Sequence, residues 1–131
     1  MIDKRDITIF VVDDDESIRV ALKRLMKSAG LQVETFGSAR EFINAGVTNR
    51  TGILVADVRM PEMSGLDLQK QLVASGAEIP VIFISAHEDS RAVEMALAAG
   101  AVAFLYKPFD DQDLLAAIYC ALDQTANDGA D

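Results

Sequence analysis

Short, almost wholly apolar runs alternate along this chain with stretches whose apolar residues recur every three to four positions. Ile7–Val12 (ITIFVV) has the pattern of a strand buried on both faces. After it, Ile18, Ala21, Leu22, Leu25, Met26 and Ala29 share one helix face, and Gly30 closes that helix. Leu31–Phe36 (LQVETF) is predicted as a second strand. Ser38 reads as an N-cap, with Glu41 completing a capping box for a short helix up to Gly46. Gly52–Asp57 (GILVAD) is a third strand, and VRMPEMSG a loop before the helix LDLQKQLVAS, which Gly76 ends. Pro80–Ser85 is strand four. The helix DSRAVEMALAAG turns Ala92, Val93, Ala96 and Leu97 inward, and Val102–Tyr106 is strand five. Asp110 or Asp111 caps a last helix carrying Leu114, Leu115, Ile118 and Leu122. Five strand–helix pairs with short connections predict an α/β fold: a parallel sheet with helices on both faces. Residues 1–123 form one domain on this reading. Residues 124–131 read as a polar C-terminal tail, either a frayed end or a linker stub.

Composition narrows the function classes. The chain has 131 residues, half of them hydrophobic and a quarter charged, which suits one globular domain with its own core. A formal net charge of −9 makes it a poor ligand for nucleic acid or an anionic membrane. One cysteine, Cys120, excludes an internal disulfide and a cysteine metal cluster, and it reads as a small packed residue. The start of the chain carries no long apolar run, so no signal peptide or membrane span is expected, and the expected location is cytoplasmic.

In open α/β sheets, ligands bind beyond the carboxyl ends of the strands. Strand one delivers Asp13, Asp14 and Asp15 there, strand three Asp57, strand four Ser85 and strand five Lys107. Two ionised carboxylates about 4 Å apart repel by roughly 4 kcal/mol at an effective dielectric near 20, so the acids need a cation. Hard divalent ions such as Mg²⁺ favour carboxylate oxygens. A carboxylate is also a nucleophile towards phosphorus, and a cation, a lysine and a hydroxyl would stabilise the phosphoryl oxygens.

VVDDDES, VADVRMPEMSGLDL, VIFISAHE and FLYKPF, in this order and at these spacings, resemble the receiver domain of bacterial two-component response regulators. The resemblance runs from Ile7 to about Leu122. It implies a flavodoxin-like sheet in strand order 2-1-3-4-5. It implies Asp57 as phosphoacceptor, with Mg²⁺ held by Asp13, Asp14, Asp57 and the backbone carbonyl of Arg59. Ser85 and Lys107 would contact the phosphoryl group, and Lys107–Pro108 would be a cis peptide bond. Phe104 stands at the family's aromatic switch position, where, lacking a hydroxyl, it would act by packing alone. The implied partner is a sensor histidine kinase or phosphotransfer protein. The implied output face is the fourth helix, fifth strand and fifth helix, with Arg91, Met95 and Tyr106, and it also offers a phosphorylation-dependent homodimer. VRMPEMSGLDL and GAVAFLYKPF look most like regulators of the nitrogen-fixation type, which join a receiver to a helix-turn-helix domain and control transcription. Such a domain catalyses only its own phosphorylation and dephosphorylation.

Plainer and rival readings compete. Asp15 and Glu16 suit a helix's first turn and are assigned to capping, which leaves the preceding pair for metal. Arg19, Lys23 and Lys27 form an i, i+4 stripe, read first as a solvated face and second as a kinase-docking surface. His87 and Arg59 occupy positions that in the family border the path of the hydrolytic water. VVDDDES also fits a haloacid-dehalogenase-like phosphatase, with Asp13 as nucleophile and Asp15 as general acid. That reading needs a further late acid, and Asp89 stands too far along its loop. A flavin carrier would need a Ser/Thr/Gly-rich phosphate loop where four acids stand. A degenerate scaffold would not need the intact set of Asp57, Ser85 and Lys107.

Overall fold

The computed structural model describes residues 7–47, 50–86 and 90–129, with side chains through 123. His87, Glu88 and Asp89 lie outside the described residues, and with them the readings placed on His87 and Asp89. The order is β1 (Thr8–Val12), α1 (Glu16–Ser28), β2 (Gln32–Phe36), α2 (Ala39–Asn44), β3 (Gly52–Asp57), α3 (Gly65–Ala74), β4 (Val81–Ser85), α4 (Ser90–Ala98), β5 (Ala103–Tyr106) and α5 (Asp111–Gly129). The strands form one sheet in the order β2-β1-β3-β4-β5, and every pairing is parallel.

Successive side chains of a strand point to opposite faces, so the sheet feeds two cores. Ile9, Val11, Ile53, Val55, Ile82 and Ile84 pack with Leu22 and Met26 of α1 and with Leu114 and Ile118 of α5. Phe10, Val12, Leu54, Ala56 and Phe83 pack with Phe42 of α2, Leu68 and Leu72 of α3, and Ala92 and Ala96 of α4. Burying each large apolar side chain contributes about 1.5–3 kcal/mol. β1, β3 and β4 are buried along their length, which is why they lack polar alternation, whereas the edge strands β2 and β5 are partly exposed.

Helix ends are settled by short-range hydrogen bonds. Asp15 caps α1, accepting from Ser17 N at 2.8 Å. Asp110, not Asp111, caps α5, accepting from Gln112 N at 2.9 Å. Ser38 caps α2, but the expected box is shifted by one residue. Glu41 Oε2 accepts from Gly37 N at 2.8 Å instead of from the N-cap residue. A full capping box forms at α3 between Ser64 and Asp67.

Two expectations need correction. Leu97 points outward and is 48% exposed. The buried stripe of α4 is two alanines wide, and Leu97 falls outside it. Cys120 is exposed rather than packed, because Leu114, Ile118, Ala121 and Leu122 occupy the inner face of α5. The backbone of α5 continues through the polar run to Gly129. No proline or glycine interrupts it earlier.

Candidate functional site

Register brings the site together. Val12 is paired with Ala56, so the next residues, Asp13 and Asp57, leave neighbouring strands side by side. Ser85 is paired with Tyr106, so Lys107 emerges beside the end of β4. Its N–H donates to the Ser85 carbonyl at 2.7 Å. The Lys107–Pro108 peptide is cis.

Asp13 is fully buried. Its Oδ1 accepts from Asp15 N at 2.9 Å, and its Oδ2 accepts from Lys107 Nζ at 2.9 Å. Asp57 is buried at the end of β3. Its Oδ1 accepts from Arg59 N at 3.3 Å, and its Oδ2 from Lys107 Nζ at 3.4 Å. One ammonium therefore bridges two buried carboxylates. Asp14, the next residue, lies in the bend that follows β1 and is exposed. Carboxylate oxygens of Asp13, Asp14 and Asp57 all lie within 4.8 Å of one another. Three carboxylates this close make an oxygen donor set that suits Mg²⁺.

The titration shifts follow from this crowding. Burial, and next the charge of Asp13, hold the Asp57 carboxyl above the usual range, and Lys107 opposes them only in part. Burial pulls the Lys107 ammonium down, but its hydrogen bond and charge contact with Asp13, together with Asp57, outweigh that and leave it raised. Asp15 is held below the ordinary range by hydrogen bonds from Ser17.

The remaining assigned residues lie around this centre. Ser85 is buried at the tip of β4. The Arg59 side chain is exposed, and its N–H holds Asp57. The Phe104 ring is half-buried between Phe83, at 6.1 Å between centroids, and Tyr106, at 5.4 Å. Beside the site an open cavity of about 470 Å³ runs between Ile18, Ala21 and Leu22 of α1 and the Pro108–Phe109 turn.

Two features escaped the sequence reading. Arg19 does not belong to the solvated stripe with Lys23 and Lys27, because its Nη1 donates to the Asp13 carbonyl at 2.7 Å. Gly65 lies so close beneath the site that a Cβ there would collide with the Asp57 carbonyl oxygen. The S-x-x-D signature of Ser64 and Asp67 marks the start of α3, and with it the glycine at the first helical position.

The phosphatase alternative is overturned on the same geometry. Its general acid would be Asp15, which is instead the α1 cap with a lowered pKa. Its nucleophile would be Asp13, which is fully buried, whereas Asp57 keeps some exposure.

Comparison with known proteins agrees. The family model described as the response regulator receiver domain matches residues 9–119. Response regulator protein TodT of Pseudomonas putida is 50% identical over 114 residues, covering 87% of this chain and 50% of TodT. Transcriptional regulatory protein FixJ of Azorhizobium caulinodans is 43% identical over 121 residues, 92% of this chain and 57% of FixJ. The solved structure of the response regulator StyR has a TM-score of 0.89 at 46% identity, over 95% of this chain and 63% of StyR. The chain spans about half the length of the curated relatives it matches. No helix among the described residues is long and apolar enough to cross a membrane. Sharing both sequence and strand order with these proteins over most of its length, the chain belongs to the response regulator receiver domain family.

Proposed function

We propose that the chain is a phosphorylation-controlled switch in which Asp57 is the phosphoacceptor. The observation that carries the reading is the Lys107 ammonium bridging Asp13 and Asp57, with the Asp14 carboxylate within 4.8 Å of both. A carboxylate oxygen of Asp57 attacks phosphorus of a phosphohistidine on a sensor kinase or phosphotransfer protein. The P–N bond breaks, a P–O bond forms, and the imidazole leaves with its electron pair. Asp13, Asp14, Asp57 and the Arg59 backbone carbonyl would hold Mg²⁺. Bound there, the ion supplies charge neutralisation at the phosphoryl oxygens. Lys107 moves from bridging carboxylates to contacting the phosphoryl group, and the Ser85 hydroxyl donates to another of its oxygens.

The partner kinase docks where Lys23 and Lys27 are exposed on α1, beside the apolar cavity. The response is read on α4, β5 and α5, where Arg91, Met95 and Tyr106 are exposed and offer a surface for a partner or a second copy. The names of the relatives, response regulators and transcriptional regulatory proteins, support an output in transcription through a further, helix-turn-helix domain, in the cytoplasm. A net charge of −9 argues against nucleic-acid binding by this segment itself. The switch turns over no free substrate, since its chemistry acts on its own Asp57.

The test is incubation with a small acyl-phosphate donor and Mg²⁺, followed by intact mass. One phosphoryl group should appear on the wild type and be absent from Asp57→Asn and from Mg²⁺-free buffer. Equal labelling of Asp57→Asn would overturn the assignment.

A further inference from the structure

We propose that Arg19 is a positioning residue for the metal-binding carboxylates, acting through the backbone of Asp13; the proposal rests on the metal reading above. Every polar atom of Asp13 has a partner. Its N–H donates to the Phe36 carbonyl at 3.1 Å, and its carboxylate is held by Asp15 N and Lys107 Nζ. The remaining atom, the carbonyl oxygen, accepts from Arg19 Nη1 at 2.7 Å, a short charge-assisted contact. Arg19 comes from the first turns of α1 and reaches back over the β1–α1 turn to make it. The same guanidinium lies against the β2–α2 turn. A Cβ at Gly37 would stand 3.5 Å from Arg19 Nη1 and 3.5 Å from Glu41 Oε2. Glu41 in turn holds Gly37 N. Arg19 thus braces two turns that meet at the carboxyl end of the sheet.

The carbonyl of Asp13 belongs to the peptide group that joins Asp13 to Asp14. Holding that oxygen fixes the plane of the peptide, and so the direction in which Asp14 leaves the backbone. Asp14 is exposed, so its backbone sets its distance from Asp13 and Asp57. Lys23 and Lys27, on the same helix but exposed, have no comparable hold on the site.

The sign of one measurement separates this role from the alternatives. If Arg19 acts only as a nearby positive charge, removing it tightens Mg²⁺ binding. If it serves only general stability, melting changes and Mg²⁺ affinity does not. If it positions the ligands, affinity falls, and outer partners of metal ligands are typically worth about 10- to 100-fold. Calorimetric titration of the chain with Mg²⁺ alone, with no phosphoryl donor and no partner, reads this directly and is blind to any docking role of α1. Arg19→Met should bind about tenfold more weakly, the lower end of that range. Arg19→Lys, long enough to return a charged donor to the carbonyl, should recover most of the loss. Lys27→Met should bind as wild type. Should Arg19→Met fail to fold, Arg19→Gln, whose amide falls short of the carbonyl, carries the same expectation. Unchanged or tighter binding in Arg19→Met or Arg19→Gln, or no recovery in Arg19→Lys, overturns the proposal. A wild type that binds no Mg²⁺ overturns the metal reading instead.

Discussion

Replacing the phosphoacceptor should stabilise the metal-free domain. Asp57→Asn keeps the shape of the side chain and the oxygen that accepts from Arg59 N. It removes one charge from three carboxylates lying within 4.8 Å. At that separation and an effective dielectric near 20, each repulsion is about 3.5 kcal/mol, and Asp57 takes part in two of them. The contact with Lys107 at 3.4 Å, worth about 5 kcal/mol on the same scale, is lost. The balance favours the variant by about 2 kcal/mol. Relief of a buried charge adds to it, and solvent around the exposed Asp14 subtracts from it. A net gain of about 1–2 kcal/mol is expected, and for a domain this size each kcal/mol raises Tm by about 3–5 °C. The pH dependence has a definite sign. Asp57 has its folded pKa raised above 3.8, so the native state binds the proton more tightly than the unfolded chain. Its favourable contribution is complete below 3.8 and is lost as pH rises through the folded value. At neutral pH the wild type therefore carries the whole cost, and the advantage of Asp57→Asn should shrink as pH falls towards 3.8. Thermal melts in EDTA across that range measure it, and saturating Mg²⁺ should raise the wild-type Tm and narrow the gap. Equal or lower melting of Asp57→Asn at neutral pH in EDTA, or a gain indifferent to pH, refutes the reasoning.

Two further changes probe the path outward from Asp57. Ser85→Ala should still accept a phosphoryl group but transmit it poorly. Drawing the Ser85 hydroxyl towards the site makes room for the half-buried Phe104 ring, whose added burial contributes about 1 kcal/mol. Amide NMR with beryllofluoride should then show smaller shifts at Arg91, Met95 and Tyr106 than in the wild type, and equal shifts would rule the hydroxyl out as trigger. Gly65→Ala should cost roughly 1–3 kcal/mol in a urea melt and lower acyl-phosphate labelling. Its Cβ meets the Asp57 carbonyl and stands 3.1 Å from Phe83 Cε1, atoms that cannot move aside freely. Wild-type melting and labelling would show that the approach beneath Asp57 is loose.

Local rules were enough for the ten elements and for the strand ends that carry chemistry. Burial on both faces imposes unbroken apolar runs, amphipathic helices impose a spacing of three to four, and both are written in consecutive residues. The acids after Val12, Asp57 after Ala56 and Lys107 before Pro108 were therefore visible at strand ends, and the motifs around them carried the family and its strand order. Other features depend on pairings between segments far apart in the chain. Asp13 and Asp14 are equal in sequence, yet one is buried against Lys107 and the other faces solvent. The register of β1 against β3 decides which, because it sets Asp13, next after Val12, beside Asp57, while Asp14 falls in the bend beyond. Arg19 looks like Lys23 and Lys27 until the Asp13 carbonyl is within reach of one of them. Leu97 reads as core until Ala92 and Ala96 are seen to fill the narrow contact of α4 with the sheet. Glu41 satisfies Gly37 rather than its own cap because a flexible side chain takes whichever unpaired N–H the turn presents nearest to it. Periodicity reports which face of an element is buried. Which atom meets which across that face is settled only when strands align and side chains choose rotamers against neighbours from elsewhere in the chain.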